Sequence, residues 1–125
     1  MKDVKFYYCE ICGNLTYLLD EGEGEMICCG EPMKLLTAGT TDAATEKHVP
    51  YLKRDGNHLE AVIGEVEHPM LEKHYITWIA AVQGDRVIFQ HLCPGDEPKA
   101  CFELQDGPVE VYEFCNLHGL WKADA

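Results

Sequence analysis

Short apolar segments separated by turn residues make up most of the chain after residue 58. The segments lie at 59–66, 75–82, 86–89, 100–104 and 109–114. Their lengths are typical of β-strands, and no stretch has the apolar periodicity of an amphipathic helix of useful length. Short strands at regular spacing favour an antiparallel β-sandwich, with 109–114 as its last strand.

Glycine, proline and small polar residues mark the connections between the predicted strands. Turns or loops are predicted at 53–57, 83–85, 92–99 and 105–108. A small, polar segment at 37–46 precedes the strand-rich region and is predicted to be an extended linker. It divides the chain into a small domain at 1–36 and a larger domain at 37–125, and both are expected to be all-β.

The small domain contains two pairs of cysteines about sixteen residues apart. The four residues are Cys9, Cys12, Cys28 and Cys29. A Cys-x-x-Cys followed by glycine is typical of a metal-binding turn, in which backbone N–H groups stabilise the thiolates. In a cytosolic chain, clustered cysteines favour a four-thiolate metal site over disulfides.

The second cysteine pair requires a turn, because neighbouring residues on a strand point to opposite faces. Gly30 follows Cys28 and Cys29 and permits that turn. A domain of this size buries too little surface to fold alone, so metal binding, dimerisation or both are expected to stabilise it. Sulfur ligands do not distinguish iron from zinc, and a zinc ribbon is an alternative interpretation.

Composition excludes some classes of function. The 125 residues carry 22 acidic and 10 basic side chains, for a net charge of −12, which argues against nucleic-acid binding. No apolar run approaches the roughly 20 residues of a membrane-spanning helix. The N-terminus lacks an apolar signal region, so a cytoplasmic location is expected. An anionic substrate would need a local positive feature in so acidic a chain.

Histidines supply a second set of candidate ligands, at predicted strand ends or in loops. They are His48, His68, His74 and His118, and Cys115 stands three positions before the last of them. A single Cys-x-x-His is a weak signal, and one histidine at a strand end is more often a surface residue. Spacing alone does not establish that these side chains converge. His58 and His91 are interpreted as surface or packing residues outside this set, and Trp78 and Trp121 as packing groups. Cys93 and Cys101 are interpreted as free thiols, with a bridge between them as the less favoured alternative in a cytoplasmic chain.

Several motifs together resemble the family of desulfoferrodoxin, the two-iron form of superoxide reductase. They are Glu46-Lys47-His48-Val49-Pro50, His68-Pro69-Met70, His74-Tyr75-Ile76 and Cys115-Asn116-Leu117-His118-Gly119-Leu120-Trp121, together with the four cysteines of the small domain. The resemblance covers the whole chain, with every motif in order. The small domain by itself resembles desulforedoxin.

The resemblance implies two irons per chain, an immunoglobulin-like sandwich for the larger domain, and a homodimer. It implies an Fe(Cys)4 site held by Cys9, Cys12, Cys28 and Cys29. It also implies a catalytic Fe(His)4(Cys) site with four equatorial imidazoles and an axial thiolate, from His48, His68, His74, His118 and Cys115. The implied reaction is one-electron reduction of superoxide to hydrogen peroxide, with rubredoxin as the usual electron donor.

The chemistry of these ligands agrees with the implied reaction. Neutral imidazoles leave a ferrous centre with a net positive charge that attracts superoxide, and a thiolate pushes electron density towards the metal. Lys47 is expected to offset the acidic charge of the chain and to hydrogen-bond the product. The resemblance implies that Glu46 is a candidate sixth ligand on oxidised iron once product has left. The simpler interpretation makes both residues solvated loop side chains. A non-enzymatic iron electron-transfer protein and a zinc-ribbon interaction module are the alternative functions.

Overall fold

The structure is a computed structural model that describes residues 3–40, 48–64 and 68–125. All helix or strand structure in these residues is β, which confirms the predicted all-β class. Two compact units are present, Asp3–Thr37 and a larger unit whose described residues lie within Ala38–Ala125. In the described ranges we find no helix long and apolar enough to cross a membrane.

The smaller unit consists of very short strands around the cysteine-bearing turns. The strands are β1 (Phe6–Tyr8), β2 (Leu15–Tyr17), β3 (Ile27–Cys28), β4 (Glu31–Pro32) and β5 (Lys34–Leu35). They form a three-stranded sheet in the order β2-β1-β5 and a separate β3-β4 hairpin. Phe6 and Cys9 are the buried hydrophobic residues of this unit. Such a small interior agrees with the expectation that apolar burial alone does not hold the unit together.

The larger unit consists of two antiparallel sheets. Its strands are β6 (Pro50–Asp55), β7 (His58–Ile63), β8 (Ile76–Gln83), β9 (Arg86–His91), β10 (Lys99–Glu103), β11 (Glu110–Cys115) and β12 (Gly119–Asp124). The sheets have the orders β10-β7-β6 and β12-β11-β8-β9. Inward-facing residues of both sheets, such as Leu59, Phe102, Ile79 and Val111, form one buried cluster. The predicted sandwich is therefore confirmed.

The predicted turn at 53–57 is wrong at its first three residues. Strand β6 extends through Asp55, and only Gly56 and Asn57 form the turn, with Gly56 in the left-handed region at φ 61°. Lys53, Arg54 and Asp55 interrupt the apolar pattern, so the sequence does not indicate this part of the strand. The Arg54 guanidinium donates to the backbone carbonyls of Gln105 and Gly107, so a polar side chain provides a tertiary contact there.

The prediction that 109–114 is the last strand is also wrong. β12 follows β11 after a short turn and pairs with it from Cys115↔Gly119 to Glu110↔Asp124. Its residues alternate between a buried face at Leu120 and a face at Gly119 and Trp121. β12 begins at Gly119, immediately after His118, so no separate turn segment marks it in the sequence.

Candidate metal centres

Five candidate ligands of the larger unit come from three separate segments that meet at one end of the sandwich. His48 precedes β6, His68 and His74 lie between β7 and β8, and Cys115 and His118 lie at the turn between β11 and β12. Pairing places the start of β6 beside the end of β7, and the start of β8 beside the end of β11. One potential ligand atom from each of the five residues lies within 4.8 Å of the others.

The four imidazoles form a closed ring. Neighbouring ring centroids are separated by 4.8 Å for His48–His68, 4.8 Å for His68–His74, 5.1 Å for His74–His118 and 4.8 Å for His118–His48. Each pair is edge-on, with interplanar angles between 60° and 85°. One ligand nitrogen of each ring lies within 4.8 Å of those of the others, so the four rings surround a common centre.

Cys115 reaches this ring from the hydrophobic core. The residue is fully buried, belongs to the core cluster, and has its Sγ 3.7 Å from His118 Nδ1. The register between β11 and β8 shifts at this point, because Phe114 pairs with Trp78 but Cys115 pairs with Ile76. A β-bulge next to a site re-aims a side chain, and here the bulge lies at the last residue before the ligand turn.

Hydrogen bonds indicate which nitrogen each histidine presents. His68 Nδ1 lies 2.7 Å from the Pro69 carbonyl oxygen, which fits an N–H donor there and assigns Nε2 to the cluster. The Nε2 atoms of His68 and His74 are both buried. His48 presents Nε2 and His118 presents Nδ1, and these two atoms are 3.1 Å apart.

These distances fit a bound transition metal. Two nitrogens at right angles on a metal, each about 2.1 Å from it, are about 3.0 Å apart. The separation of 3.1 Å between His48 Nε2 and His118 Nδ1 agrees with that value. Four imidazoles and one thiolate form a donor set that suits iron, copper or zinc rather than magnesium or calcium.

Asn116 connects the two ligand-bearing loops, which sequence reasoning did not anticipate. Its side-chain oxygen accepts a hydrogen bond from the Tyr75 N–H at 2.9 Å, and its Nδ2 donates to the Lys73 carbonyl at 3.0 Å. Its backbone N–H also donates to the Tyr75 carbonyl at 3.2 Å. The residue therefore ties the Cys115–His118 turn to the segment that carries His74.

Trp121 packs against a candidate ligand, a contact that its interpretation as a packing group did not specify. Its indole stacks on the His48 imidazole, with ring centroids 5.0 Å apart and an interplanar angle of 16°. Its Nε1–H donates to the His118 carbonyl oxygen at 3.2 Å. The alternation of β12 was the available signal, because Trp121 shares a face with Gly119 at the ligand end of the strand.

The remaining residues discussed from the sequence lie outside both ligand clusters or outside the described ranges. Glu46 and Lys47 fall in the segment 41–47, which is not among the described residues. His58 is exposed on β7, where its Nδ1 lies 2.6 Å from Glu103. His91, Cys93 and Cys101 are exposed and belong to neither ligand cluster.

The four cysteines of the smaller unit form the second cluster. Cys12 Sγ lies 3.6 Å from Cys28 Sγ, and Cys28 Sγ lies 4.0 Å from Cys29 Sγ. Thiolates arranged tetrahedrally at about 2.3 Å from a metal are about 3.8 Å apart, so the cluster fits such an ion. The predicted turn is present, with φ 55° at Cys29 and 75° at Gly30.

Backbone donors and neighbouring thiols give these cysteines different acidities. The Cys12 N–H lies 3.5 Å from Cys9 Sγ and lowers the pKa of Cys9 to about 7. Hydrogen bonding with the Cys12 side chain raises the pKa of Cys28, and raises that of Cys29 to about 12. Without a metal, the cluster therefore retains protons at neutral pH that a bound cation would displace.

Comparisons with known proteins cover both units. The family model of desulfoferrodoxin matches residues 40–124, and that of the desulfoferrodoxin N-terminal domain matches residues 2–36. The desulfoferrodoxin of Syntrophotalea carbinolica is 49% identical over 121 residues, which are 97% of this chain and 96% of the relative.

Solved structures agree with these matches. The superoxide reductase of Treponema pallidum is similar with a TM-score of 0.81 and 28% identity, covering 97% of this chain and 98% of that one. A one-iron superoxide reductase from Giardia intestinalis, 36% identical with a TM-score of 0.58, matches over 98% of its own length and 65% of this chain. The chain therefore belongs to the desulfoferrodoxin family.

Proposed function

We propose that the chain is a superoxide reductase that acts at the histidine–cysteine cluster. Each superoxide takes up one electron and two protons and leaves as hydrogen peroxide. The observation that carries the proposal is the closed ring of four imidazoles beside the buried Cys115 side chain. The superoxide reductase from Treponema pallidum, similar over nearly the whole chain, supports the same reaction.

Both clusters fit the two irons of a desulfoferrodoxin. When bound at the histidine–cysteine cluster, iron supplies the one-electron redox chemistry that the reaction needs. The four imidazoles hold that ion without adding charge, so a positive site can attract an anion despite the net charge of −12. Cys115 contributes its negative charge from within the core, where water is excluded.

Access to the cluster is one-sided. His48 and His68 are each 3% exposed and Cys115 is fully buried, whereas His118 is exposed. His74 is half-buried, so a small anion is proposed to approach past His74 and His118, the ligands that reach solvent. The buried ligands orient the cluster, and the exposed edge leaves room for substrate and for the protons that follow it.

Glu46 and Lys47 are proposed to act on the substrate side. Both residues directly precede His48 in the chain, so they are tethered to a ligand of the cluster. The Lys47 ammonium attracts superoxide and hydrogen-bonds the product, and the Glu46 carboxylate is a candidate ligand once product has left. Their sequence position supports these roles.

The small electron donor is proposed to be rubredoxin, and the chain is proposed to act in the cytoplasm as a homodimer. Exposed apolar side chains on the smaller unit support dimerisation. They are Ile11, Leu19, Ile27 and Leu35. Residues 1–36 are proposed to serve as the Fe(Cys)4 domain and residues 37–125 as the catalytic domain.

A pulse of superoxide onto the fully reduced, iron-loaded chain tests the function. We expect a fast absorbance transient and one hydrogen peroxide for each superoxide consumed. Spontaneous dismutation yields one peroxide for every two superoxides, so the yields separate the two processes. A dismutation yield without a fast transient would leave the chain as a non-enzymatic electron-transfer protein. One zinc per chain and no visible colour would instead indicate a zinc-ribbon module.

A further inference from the structure

Trp121 contacts two of the four histidines in the catalytic cluster, although it presents no ligand atom itself. Its ring lies nearly parallel to the His48 imidazole at a centroid separation of 5.0 Å. Its N–H donates to the backbone carbonyl of His118 at 3.2 Å. The indole therefore contacts the ring face of His48 and the backbone of His118.

A glycine holds the indole in this place. A Cβ on Gly39 would lie 2.6 Å from Cε3 and 2.7 Å from Cζ3 of Trp121, which is closer than real Cβ atoms approach other atoms. The Gly39 φ is outside the left-handed region, so close approach rather than backbone conformation requires glycine here. The indole consequently lies against the Gly39 backbone as well as the His48 ring.

The backbone around Gly39 fixes this contact. Its N–H donates to the Leu120 carbonyl and its carbonyl accepts from the Lys122 N–H, both at 2.9 Å, so the bonds lie on either side of Trp121. Two backbone hydrogen bonds keep the glycine from retreating, and the ring cannot move towards it. A Cβ at position 39 is therefore expected to displace the indole from its present position against His48.

We propose that Trp121, seated on Gly39, is a positioning residue for the catalytic iron. It sets the plane of the His48 imidazole relative to the His118 backbone, and so keeps His48 Nε2 and His118 Nδ1 at their separation of 3.1 Å. The residue acts through these two ligands and not on superoxide. Partners that orient metal ligands alter metal affinity and redox potential when they are lost.

Three substitutions in the full chain distinguish the contacts that Trp121 makes with Gly39, His48 and the His118 carbonyl. Gly39→Ala keeps every ligand and the indole but displaces the ring. Trp121→Phe keeps an aromatic face for His48 but loses the hydrogen bond to His118, and Trp121→Leu loses both. Gly24→Ala is the matched control, because a Cβ there meets no atom of the described residues within 4 Å.

The measurements are the reduction potential of the catalytic iron and its loss to a competing chelator. Gly39→Ala and Trp121→Leu are expected to shift the potential and to weaken iron binding by about 10- to 100-fold. Trp121→Phe should recover part of both effects, and Gly24→Ala should change neither. Folded variants with the parent's potential and iron retention would overturn the proposal, because a packing role alone lowers only the unfolding temperature.

A second measurement does not require Gly39→Ala or Trp121→Leu to fold, because it uses only conservative tryptophan-to-phenylalanine replacements. Trp78→Phe leaves Trp121 as the only tryptophan, and Trp121→Phe leaves Trp78, which stacks on Phe114 rather than on a ligand. Cobalt(II) is added to each metal-free protein. Trp121 emission should be quenched more strongly than Trp78 emission when the cluster fills. Equal quenching would show that the indole does not lie against His48, and would overturn the proposal.

Discussion

His48 Nε2 lies 3.1 Å from His118 Nδ1, although 70 positions separate the two residues in the chain. His48 precedes β6 in the β10-β7-β6 sheet, and His118 lies in the turn between β11 and β12 of the four-stranded sheet. The catalytic cluster therefore depends on how the two sheets pack, and not on any single motif. Substitutions that disturb this packing should alter iron binding without removing a ligand.

Replacing the thiolate ligand Cys115 should affect the catalytic iron site and leave the four-cysteine site unchanged. Cys115→Ser is expected to remove the thiolate-to-iron charge-transfer absorption and to lower superoxide reduction by at least about 100-fold, while the colour of the four-cysteine site remains. Absorption spectra and superoxide pulses measure the two effects. Cys101→Ser, on an exposed position of β10, is the control and should behave like the parent. Turnover that survives Cys115→Ser would show that the assignment of this ligand is wrong.

The hydrogen bonds of Asn116 lead to a graded prediction. Asn116→Ala removes both side-chain bonds, to Tyr75 and Lys73, and should weaken iron binding at the catalytic cluster by about tenfold. Asn116→Asp keeps an acceptor for the Tyr75 N–H but loses the donor, so its effect should be intermediate. Chelator competition measures the change.

The control is Asn57→Ala, which removes an exposed hydrogen bond to Asp106 at the opposite end of β6 and β7 from the ligands. It should leave iron retention unchanged. If Asn116→Ala releases iron no faster than Asn57→Ala, the tie between the two loops does not position His74 or the Cys115–His118 turn.

The ligands were accessible from sequence, because sulfur and imidazole are the donor groups that iron sites use and the motifs occur in the order of the family. The contacts that orient those ligands could not be predicted from the sequence. Asn116 and Trp121 have side chains that serve many roles, and only the tertiary structure brings Asn116 to Tyr75 or the indole to Gly39. A sequence motif names a ligand but does not show what holds it.

The same limit explains the errors in strand prediction. β6 was partly assigned to a turn because Lys53, Arg54 and Asp55 interrupt its apolar alternation. The Arg54 hydrogen bonds to the 105–107 turn account for that polarity, but they are tertiary contacts. β12 was overlooked because its residues follow a ligand turn without an intervening break in the sequence.

Metal removal should unfold the smaller unit selectively. Phe6 and Cys9 are its buried hydrophobic residues, so the four-thiolate site is expected to supply much of its stability. The double variant Cys12→Ser/Cys29→Ser should lose slow amide hydrogen exchange across residues 3–37 while the sandwich keeps its protection. Cys93→Ser, an exposed thiol outside both clusters, is the control. Unchanged exchange in the double variant would mean that the unit is held by dimerisation instead.

Substitution of Gln83 is expected to change the stability of the sandwich and not its activity. Its buried side chain donates to the carbonyls of Gln105 and Gly107 and accepts from the Gln105 N–H, with distances of 2.6, 3.1 and 2.7 Å. Gln83→Ala should lower the free energy of unfolding by about 1–3 kcal/mol, because the buried partners lose hydrogen bonds. Denaturant unfolding measures this change.

Gln90→Ala is the matched control, because Gln90 is exposed and, within the described residues, its side chain donates to the neighbouring His91 carbonyl. It should change the free energy of unfolding by less than about 0.5 kcal/mol. The superoxide rate of folded Gln83→Ala should equal that of the parent, since Gln83 lies at the opposite end of β8 from the ligands.

Lys47 tests electrostatic steering of superoxide. Lys47→Ala should slow the bimolecular capture of superoxide by about tenfold at low ionic strength and flatten the dependence of that rate on salt. Lys34→Ala, on an exposed position of β5, makes the same change in total charge, from −12 to −13. A local role at the cluster predicts that Lys34→Ala retains the parent's rate and that Lys47→Arg recovers most of it. Equal slowing by Lys47→Ala and Lys34→Ala would assign the effect to net charge, and an unchanged rate in both would remove steering from the mechanism.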